Sequence, residues 1–387
     1  MKFKGYRRSD GRVGVRNHVV VMPGVLCGEV ASRKVCQQVP GTTFLYNPNG
    51  CGQNHKDMAV TLDILSGMIA NGNVYGALII GLGCEFLLEE DYMRAIREKT
   101  DKPVYYLSIQ KEGGIGRTVE KGKAIAQRLV REAAACEREE IDLSELVLGL
   151  ECGGSDPTSG FSSNTVLGKV TDAVIEAGGT AIMSETAEAI GAEHVMRARG
   201  RTKEIGDQLY NTILQWERDR YEESGENIRS NNPSPGNKAG GLTTLAEKSL
   251  GCIHKSGTHP FDGCYEYGKI INEKGLYFIN ATAYDVVNTV ALVAAGAQIV
   301  AFTTGRGNPI GNPVAPVVKI TGNHDAAEWL SDFIDFDTSG TISGEKSFDE
   351  LGREMLRHIL AVAGGEPTKA ELNGACEMGI NQNFSYT

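Results

Sequence analysis

Residues 146–160 read LVLGLECGGSDPTSG, and the reading of this stretch decides the fold. Its first part is apolar and β-prone, with Leu146, Val147, Leu148 and Leu150, and it ends abruptly in Glu151-Cys152-Gly153-Gly154-Ser155-Asp156. A strand that runs into two glycines and small polar groups sets a thiol at its carboxyl end, where open α/β sheets bind ligands. Two other segments repeat the pattern. Ala77–Leu82 runs into Gly83-Cys84-Glu85, and Phe44–Tyr46 runs through Asn47-Pro48-Asn49-Gly50 into Cys51-Gly52-Gln53. Three thiols at three strand ends are therefore expected to converge.

Working outward, the same punctuation recurs. His18–Met22, Thr43–Tyr46, Ala77–Leu82 and Val104–Ile109 read as strands, with helices at Glu29–Gln38, Met58–Ala70, Glu89–Lys99 and Arg117–Glu137 between and after them. The second half reads likewise, with strands from Leu146 and at Thr180–Met183, Leu276–Ile279, Gln298–Phe302 and Pro316–Ile320. Helices are expected there at Leu167–Ala177, Thr202–Glu223, Ala283–Ala295 and Phe348–Ala363, followed by a tail, Asn373–Thr387. Strands alternating with helices are the mark of a parallel sheet. The expectation is an α/β protein of two doubly wound, Rossmann-like units packed together, residues 1–142 and 143–387, joined at the charged segment Glu137–Asp142. Asn227–Gly241, dense in Asn, Ser, Pro and Gly, reads as a loop. Met1–Asn17 reads either as a solvated arm or as arginines, with Arg16 and Asn17, laid beside an anion site.

Composition narrows the class. A chain of 387 residues exceeds what one core usually serves. With 41% hydrophobic residues it still has no apolar run near the ~20 residues a membrane span needs. No signal-type apolar segment follows the basic start, so a cytoplasmic protein without membrane contact is expected. Nine widely spaced cysteines in so long a chain suit reduced thiols, some of them metal ligands, rather than a disulfide framework. The net charge of −10 argues against nucleic acid and leaves a small anionic substrate open.

Several residues carry the chemistry. Thiolates are soft ligands for a transition metal or an iron–sulfur cluster, which makes Cys51, Cys84 and Cys152 the metal candidates, although a free cysteine is also a small buried hydrophobe. Cys27, Cys36, Cys136, Cys252, Cys264 and Cys376 lack that setting and read as structural. His55 and Lys56, in GCGQNHKD, read either as a general base or as a helix-capping cluster. Glu185 and Glu188, in SETAE, could do acid–base work, or could be first-turn glutamates held by a helix dipole. Thr303, Thr304 and Arg306, in FTTGRG, suit recognition of a carboxylate. Ser155, Asp156, Asn237 and Lys238 complete the substrate-facing set. GNKAGGLTTLAEKS is not a nucleotide phosphate loop, because the lysine precedes the glycines. His254 and His259 flank Lys255 in a loop and are suggestive only.

With these motifs in hand, the chain resembles the large catalytic part of the altronate/galactarate dehydratase family. The resemblance runs in order through GYRRSDGRVGVRN, GCG around Cys51, GLGCE, ECGGSDPTSG, SETAE, GNKAGGLTTLAEKSLG and AAGAQIVAFTTGRG. It implies a lyase that eliminates water from a sugar acid to give a 3-deoxy-2-keto acid, with Fe2+ or Mn2+ as cofactor and a [4Fe-4S] cluster as the alternative form of the iron. The family also contains a sulfolactate sulfo-lyase branch, which expels sulfite and is the alternative reading, and GLYFINATAYDVVN at Gly275–Asn288 lacks the wording of the altronate enzymes. The resemblance further implies a separate small subunit of about a hundred residues and a homo-oligomer, a dimer. In the implied chemistry a metal on the thiols acts as Lewis acid, Arg306 with the two threonines clamps a carboxylate, and His55 or Lys56 takes the α proton. The rival of another class is a non-catalytic subunit that binds a sugar acid; a thiol redox enzyme would need a close cysteine pair.

Overall fold

The computed structural model describes residues 1–382. The end of the expected tail, residues 383–387, lies outside the described residues.

The strands of the first half are β1 (Lys2–Arg7), β2 (Val13–Gly14), β3 (His18–Pro23), β4 (Thr42–Phe44), β5 (Val74–Gly81), β6 (Val104–Ser108) and β7 (Glu139–Asp142). Those of the second are β8 (Val147–Cys152), β9 (Thr180–Met183), β10 (Gly263–Glu266), β11 (Gly275–Asn280), β12 (Ile299–Thr304), β13 (Val317–Thr321) and β14 (Phe336–Asp337). Two wholly parallel sheets result, one of four strands in the order β4-β3-β5-β6 and one of seven in the order β10-β11-β9-β8-β12-β13-β14. The protein is thus α/β. Parallel strands are covered on both faces and so read as unbroken apolar runs. Val19–Met22 and Ala77–Ile80 are such runs, and all of these residues are buried.

The N-terminal arm is not simply solvated. Lys2–Arg7 alternates exposed lysines with buried Phe3 and Gly5, the period-two pattern of a half-buried strand. It pairs antiparallel with β7, Phe3 against Ile141, and so ties the start of the chain to the joint between the halves. The two parallel sheets share a core. Ile64, Leu65 and Met68 on the helix His55–Ala70 belong to the same apolar cluster as Val290, Leu292 and Val293 on the helix Asp285–Ala294. The expected loop Asn227–Gly241 holds two short helices, Ile228–Asn231 and Pro235–Ala239. An unexpected helix, Leu245–Cys252, follows and is capped by the Thr244 side chain.

The seven-stranded sheet is organised about β8. From it, β9, β11 and β10 extend to one side and β12, β13 and β14 to the other. The loops after β8 and β12 therefore leave in a crevice where the strand order reverses, the place such sheets reserve for ligands.

Candidate active site

Four segments meet at the carboxyl end of β8. The strand delivers Glu151 and Cys152, both buried. The turn after β9 delivers Glu185 and Glu188. Among the described residues Glu185 is the one non-glycine residue with positive φ, at 73°. A glutamate in that region stores strain, which a fold retains where the geometry is needed. The helix Leu245–Cys252 and the 3-10 turn Ile253–Ser256 deliver Lys248, Cys252 and Lys255. The start of the helix Asp285–Ala294 delivers Asp285 and Asn288.

The result is a closed charge network. Cys152 Sγ lies 3.5 Å from Cys252 Sγ, 3.6 Å from Glu185 Oε1 and 3.5 Å from Glu188 Oε2. The fully buried Lys255 donates to Cys152 Sγ at 3.1 Å, to Cys252 Sγ at 2.9 Å and to the Glu185 carboxylate. Lys248 donates to the Glu188 carboxylate and, at 3.3 and 3.4 Å, to the amide oxygens of Asn232 and Asn237. Burial alone would strip Lys255 of its proton, but the thiols and carboxylates around it outweigh burial and hold the ammonium well above its ordinary range. Lys248 is likewise held up by Glu188 against its burial. Burial drives the Glu185 carboxyl upward, against the pull of Lys255. The contact with Cys252, reinforced by burial, raises the Cys152 thiol. That same hydrogen bond lowers Cys252, helped by Lys255 and opposed by burial. Of the two sulfurs, Cys252 is the more acidic.

Two cavities flank the network. One, of about 240 Å³, is largely apolar and touches Cys152, Ser155, Phe161, Leu242, Leu250 and Cys252. The other, of about 570 Å³, is of mixed character and brings together the polar side chains of Glu188, Asn237, Lys248, Asp285 and Arg306. Asp285 reaches the turn after β8 because Gly153 has no side chain; a Cβ there would stand 2.1 Å from Asp285 Oδ2. Burial and the nearby Glu188 push the Asp285 carboxyl up to about 6, which Lys248 and Lys319 only partly offset. Beneath the cleft Glu151, Phe302 and Lys319 stand in register on β8, β12 and β13. The buried amine of Lys319 lies 3.7 Å from the Phe302 ring centre and makes no hydrogen bond among the described residues. Burial pushes it down to about 7.

The residues singled out in the sequence scatter over several places. Cys152, Glu185 and Glu188 come together, while Cys51 and Cys84 are exposed on loops of the other sheet. The grouped donors are Cys152, Glu185, Glu188 and Cys252, all within 4.8 Å of one another. His55 and Lys56 are exposed in the first turn of a helix whose amides at Lys56 and Asp57 are capped by Asn54. Arg16 pairs with Glu371 at 2.7 Å and donates to the carbonyls of Val15, Val362 and Glu366. Asn17 is held between Arg8 and the Ala133 carbonyl. Asp156 binds Thr158, Ser159 and Asn323, and Ser155 borders the apolar cavity. Thr303 is spent on Asn164 at 2.6 Å, and Thr304 closes the turn to Gly307 at 3.0 Å. Asn237 and Arg306 face the larger cavity; Lys238 is exposed on the helix beside it. Sequence reasoning missed Lys248, Cys252, Lys255 and Asp285. A signal existed for two of them, since Cys252 and Lys255 are three apart and helical spacing puts such residues on one face.

Two thiols with two carboxylates are a donor set that Fe2+ could take. Here, however, each of the four residues already faces an ammonium, Lys255 for Cys152, Cys252 and Glu185, and Lys248 for Glu188. Lys255 Nζ points at both sulfurs and at Glu185 Oε2, and Lys248 Nζ at Glu188 Oε1. The set fits lysine, not a resident divalent metal.

Comparison with known proteins places this geometry. A family model described as "D-galactarate/Altronate dehydratase, C-terminal" matches residues 143–385. A second, "D-galactarate dehydratase/Altronate hydrolase, second domain", matches residues 5–134. The chain belongs to the galactarate/altronate dehydratase family. It is 35% identical to a hydro-lyase, an altronate dehydratase of Bacillus subtilis, over 98% of this chain and 77% of the relative. The altronate dehydratase of Escherichia coli is also 35% identical, over 97% of this chain and 76% of its own length. A (2R)-sulfolactate sulfo-lyase subunit beta of Chromohalobacter salexigens is 34% identical, over 99% of this chain and 97% of that subunit. No helix among the described residues is long and apolar enough to cross a membrane.

Proposed function

We propose that this family member eliminates water from a sugar acid of the altronate or galactarate type, giving a 3-deoxy-2-keto acid, in the cleft where the β8 and β12 loops part. The observation that carries the reading is the lining of that cleft: Arg306 and Lys248 as cations, Asp285 and Glu188 as carboxylates, on a buried network that fixes them. We read both parallel sheets as doubly wound, which makes this crevice the switch point of the larger one.

Elimination next to a carboxylate needs three things. The carboxylate must be held and its developing charge met, which Arg306 does with a planar fork of donors. A base must take the α proton, and Asp285, with a carboxyl titrating near 6, is ionised at neutral pH and still basic enough to act. An acid must protonate the leaving hydroxyl on the β carbon, and Lys248 presents an ammonium to the same cleft. The pair of electrons from the α C–H bond forms the new double bond, the hydroxyl leaves as water, and the enol tautomerises to the ketone. Lys255, Glu185, Cys152 and Cys252 hold Glu188 and Lys248 in place from below. No step is routed through a metal here, because the grouped thiols and carboxylates beneath the cleft are paired with Lys255 and Lys248.

The second reading is release of sulfite from a sulfonated hydroxy acid. It is favoured by the match to nearly the whole sulfo-lyase subunit, against about three quarters of the altronate dehydratases. The test is to offer purified enzyme altronate, galactarate and (2R)-sulfolactate separately, and to assay 2-keto acid and sulfite together. Keto acid without sulfite from a sugar acid supports the first reading. Sulfite from sulfolactate alone supports the second, and neither product from any of the three overturns both.

A further inference from the structure

Three cysteines lie on touching loops in a part of the molecule that the cleft does not use. β4, β3 and β5 are neighbours in the four-stranded sheet and all parallel. The segments that leave their carboxyl ends carry Cys51, Cys27 and Cys84 respectively. These segments touch one another. Leu26 N donates to Asn49 O at 3.3 Å, Gly24 N to Ile80 O at 2.9 Å, and Leu87 N to Gly50 O at 3.2 Å. Gly50, at φ 99°, lies so close to the first loop that a Cβ would stand 2.4 Å from Gly24 O. All three cysteines are exposed and free of disulfide. The sequence pattern paired Cys51 and Cys84 with Cys152 and set Cys27 aside as structural; the fold exchanges Cys152 for Cys27.

We propose that Cys27, Cys51 and Cys84 are the ligands of a four-iron four-sulfur cluster. A structural zinc site is closed by four protein ligands, and the nearest acidic candidate is already committed. Glu85 accepts from Leu82 N at 3.0 Å, from Gly83 N and from the Tyr106 hydroxyl at 2.7 Å. Three thiolates match a cubane that keeps one iron open to a small oxygen ligand. The surroundings agree. Leu26, Val30, Phe86 and Leu88 lie on the same segments or at the adjoining helix starts, and all four are left on the surface. Such an apolar rim limits solvent access to a cluster and has no evident use around three bare thiols. On transfer of a preformed thiolate-ligated cluster each cysteine sulfur bonds one iron as the Fe–S bond to a donor thiolate breaks, the cysteine proton passes to that departing thiolate, and no oxidation state changes. The inference stands apart from the cleft chemistry, since it rests on loops of the other sheet.

The test is anaerobic reconstitution of the full-length protein with iron and sulfide, reading bound iron, acid-labile sulfide and the visible spectrum. The expected result is roughly four of each per chain with broad absorption. Cys27→Ser, Cys51→Ser and Cys84→Ser are each expected to lose most of the sulfide-bearing iron, while Cys152→Ser and Cys252→Ser keep it. Because the three thiols are exposed, their variants are expected to keep the wild-type circular dichroism and melting midpoint, which separates a lost ligand from a lost fold. Iron bound without sulfide, no iron at all, or a cluster that survives all three substitutions and vanishes with Cys152→Ser would each overturn the assignment.

Discussion

The two parallel sheets end in the same kind of sequence, an apolar strand followed by glycine and cysteine, yet the ends have opposite physics. At the four-stranded sheet the thiols of Cys27, Cys51 and Cys84 are exposed. At the seven-stranded sheet Cys152 is sealed with Cys252 beneath a cleft, and its electrostatic partners are two lysines and two glutamates. The difference comes from what covers each end. The 3-10 turn and helix around Cys252 and Lys255 fold over β8 and bury it, whereas the ends of β3, β4 and β5 keep large apolar side chains in solvent. A glycine-flanked cysteine at a strand end therefore predicts a loop that can approach something, but not what it approaches.

The largest effect expected from that contrast is on stability. Lys255→Met leaves Glu185 and two thiols buried without their cation and is expected to cost roughly 3–5 kcal/mol, the usual result of breaking a buried pair from one side. Cys84→Ser, on the exposed loop, is expected to stay within about 0.5 kcal/mol of wild type. Urea denaturation of both variants checks it, and equal losses would erase the distinction between the two ends.

Catalysis sharpens the comparison further. Asp285→Asn is expected to lower kcat by about 10²- to 10⁴-fold with the fold intact, as loss of a general base does. In the wild type the rate is expected to fall as pH drops below about 6, where the Asp285 carboxyl takes up its proton; that limb should vanish from the residual activity of the variant. A pH–rate profile of both enzymes decides the assignment.

The same carboxyl has a thermodynamic signature. Its folded value lies above the 3.8 of the free group, at about 6. The folded state thus binds the proton more tightly, and the associated stability is complete below 3.8 and lost as pH rises through about 6. Asp285→Asn should flatten this fall between pH 4 and pH 7, and denaturant midpoints across that range show whether it does.

The smallest effect concerns Lys319, whose amine is buried without a hydrogen bond among the described residues. Lys319→Met is expected to leave stability unchanged or to raise it by about 1 kcal/mol, since burying an unpaired polar group is costly. A loss of several kcal/mol would mean that the amine has a partner supplied by solvent.

Much of this fold was legible because parallel strands write themselves as continuous apolar runs. Glu29–Gln38, Thr180–Met183 and Phe348–Ala363 have the bounds expected of them. The arm at Lys2–Arg7 was obscured by its charges, although Phe3 and Gly5 carried the alternation. Glu185 and Glu188 could be singled out because they follow a strand end directly. Cys252 and Lys255 carried only their spacing of three, since their partner Cys152 is about a hundred residues away and no local period marks so distant a contact. Arg16 was read toward an anion and instead spends its guanidinium on Glu371 and carbonyls, because a rigid fork of donors satisfies backbone as readily as ligand.

The seam between the helices His55–Ala70 and Asp285–Ala294 has a consequence for heredity. Gly67 is pressed so close that a Cβ would stand 2.6 Å from the Ala294 carbonyl, so even alanine at that point would push the two helices apart. Two segments that match separate family models are thereby bound into one inheritance. A gene cut between them would have to keep both pieces in the same cell, and a swap of either half with a distant relative would succeed only if the seam travelled with it.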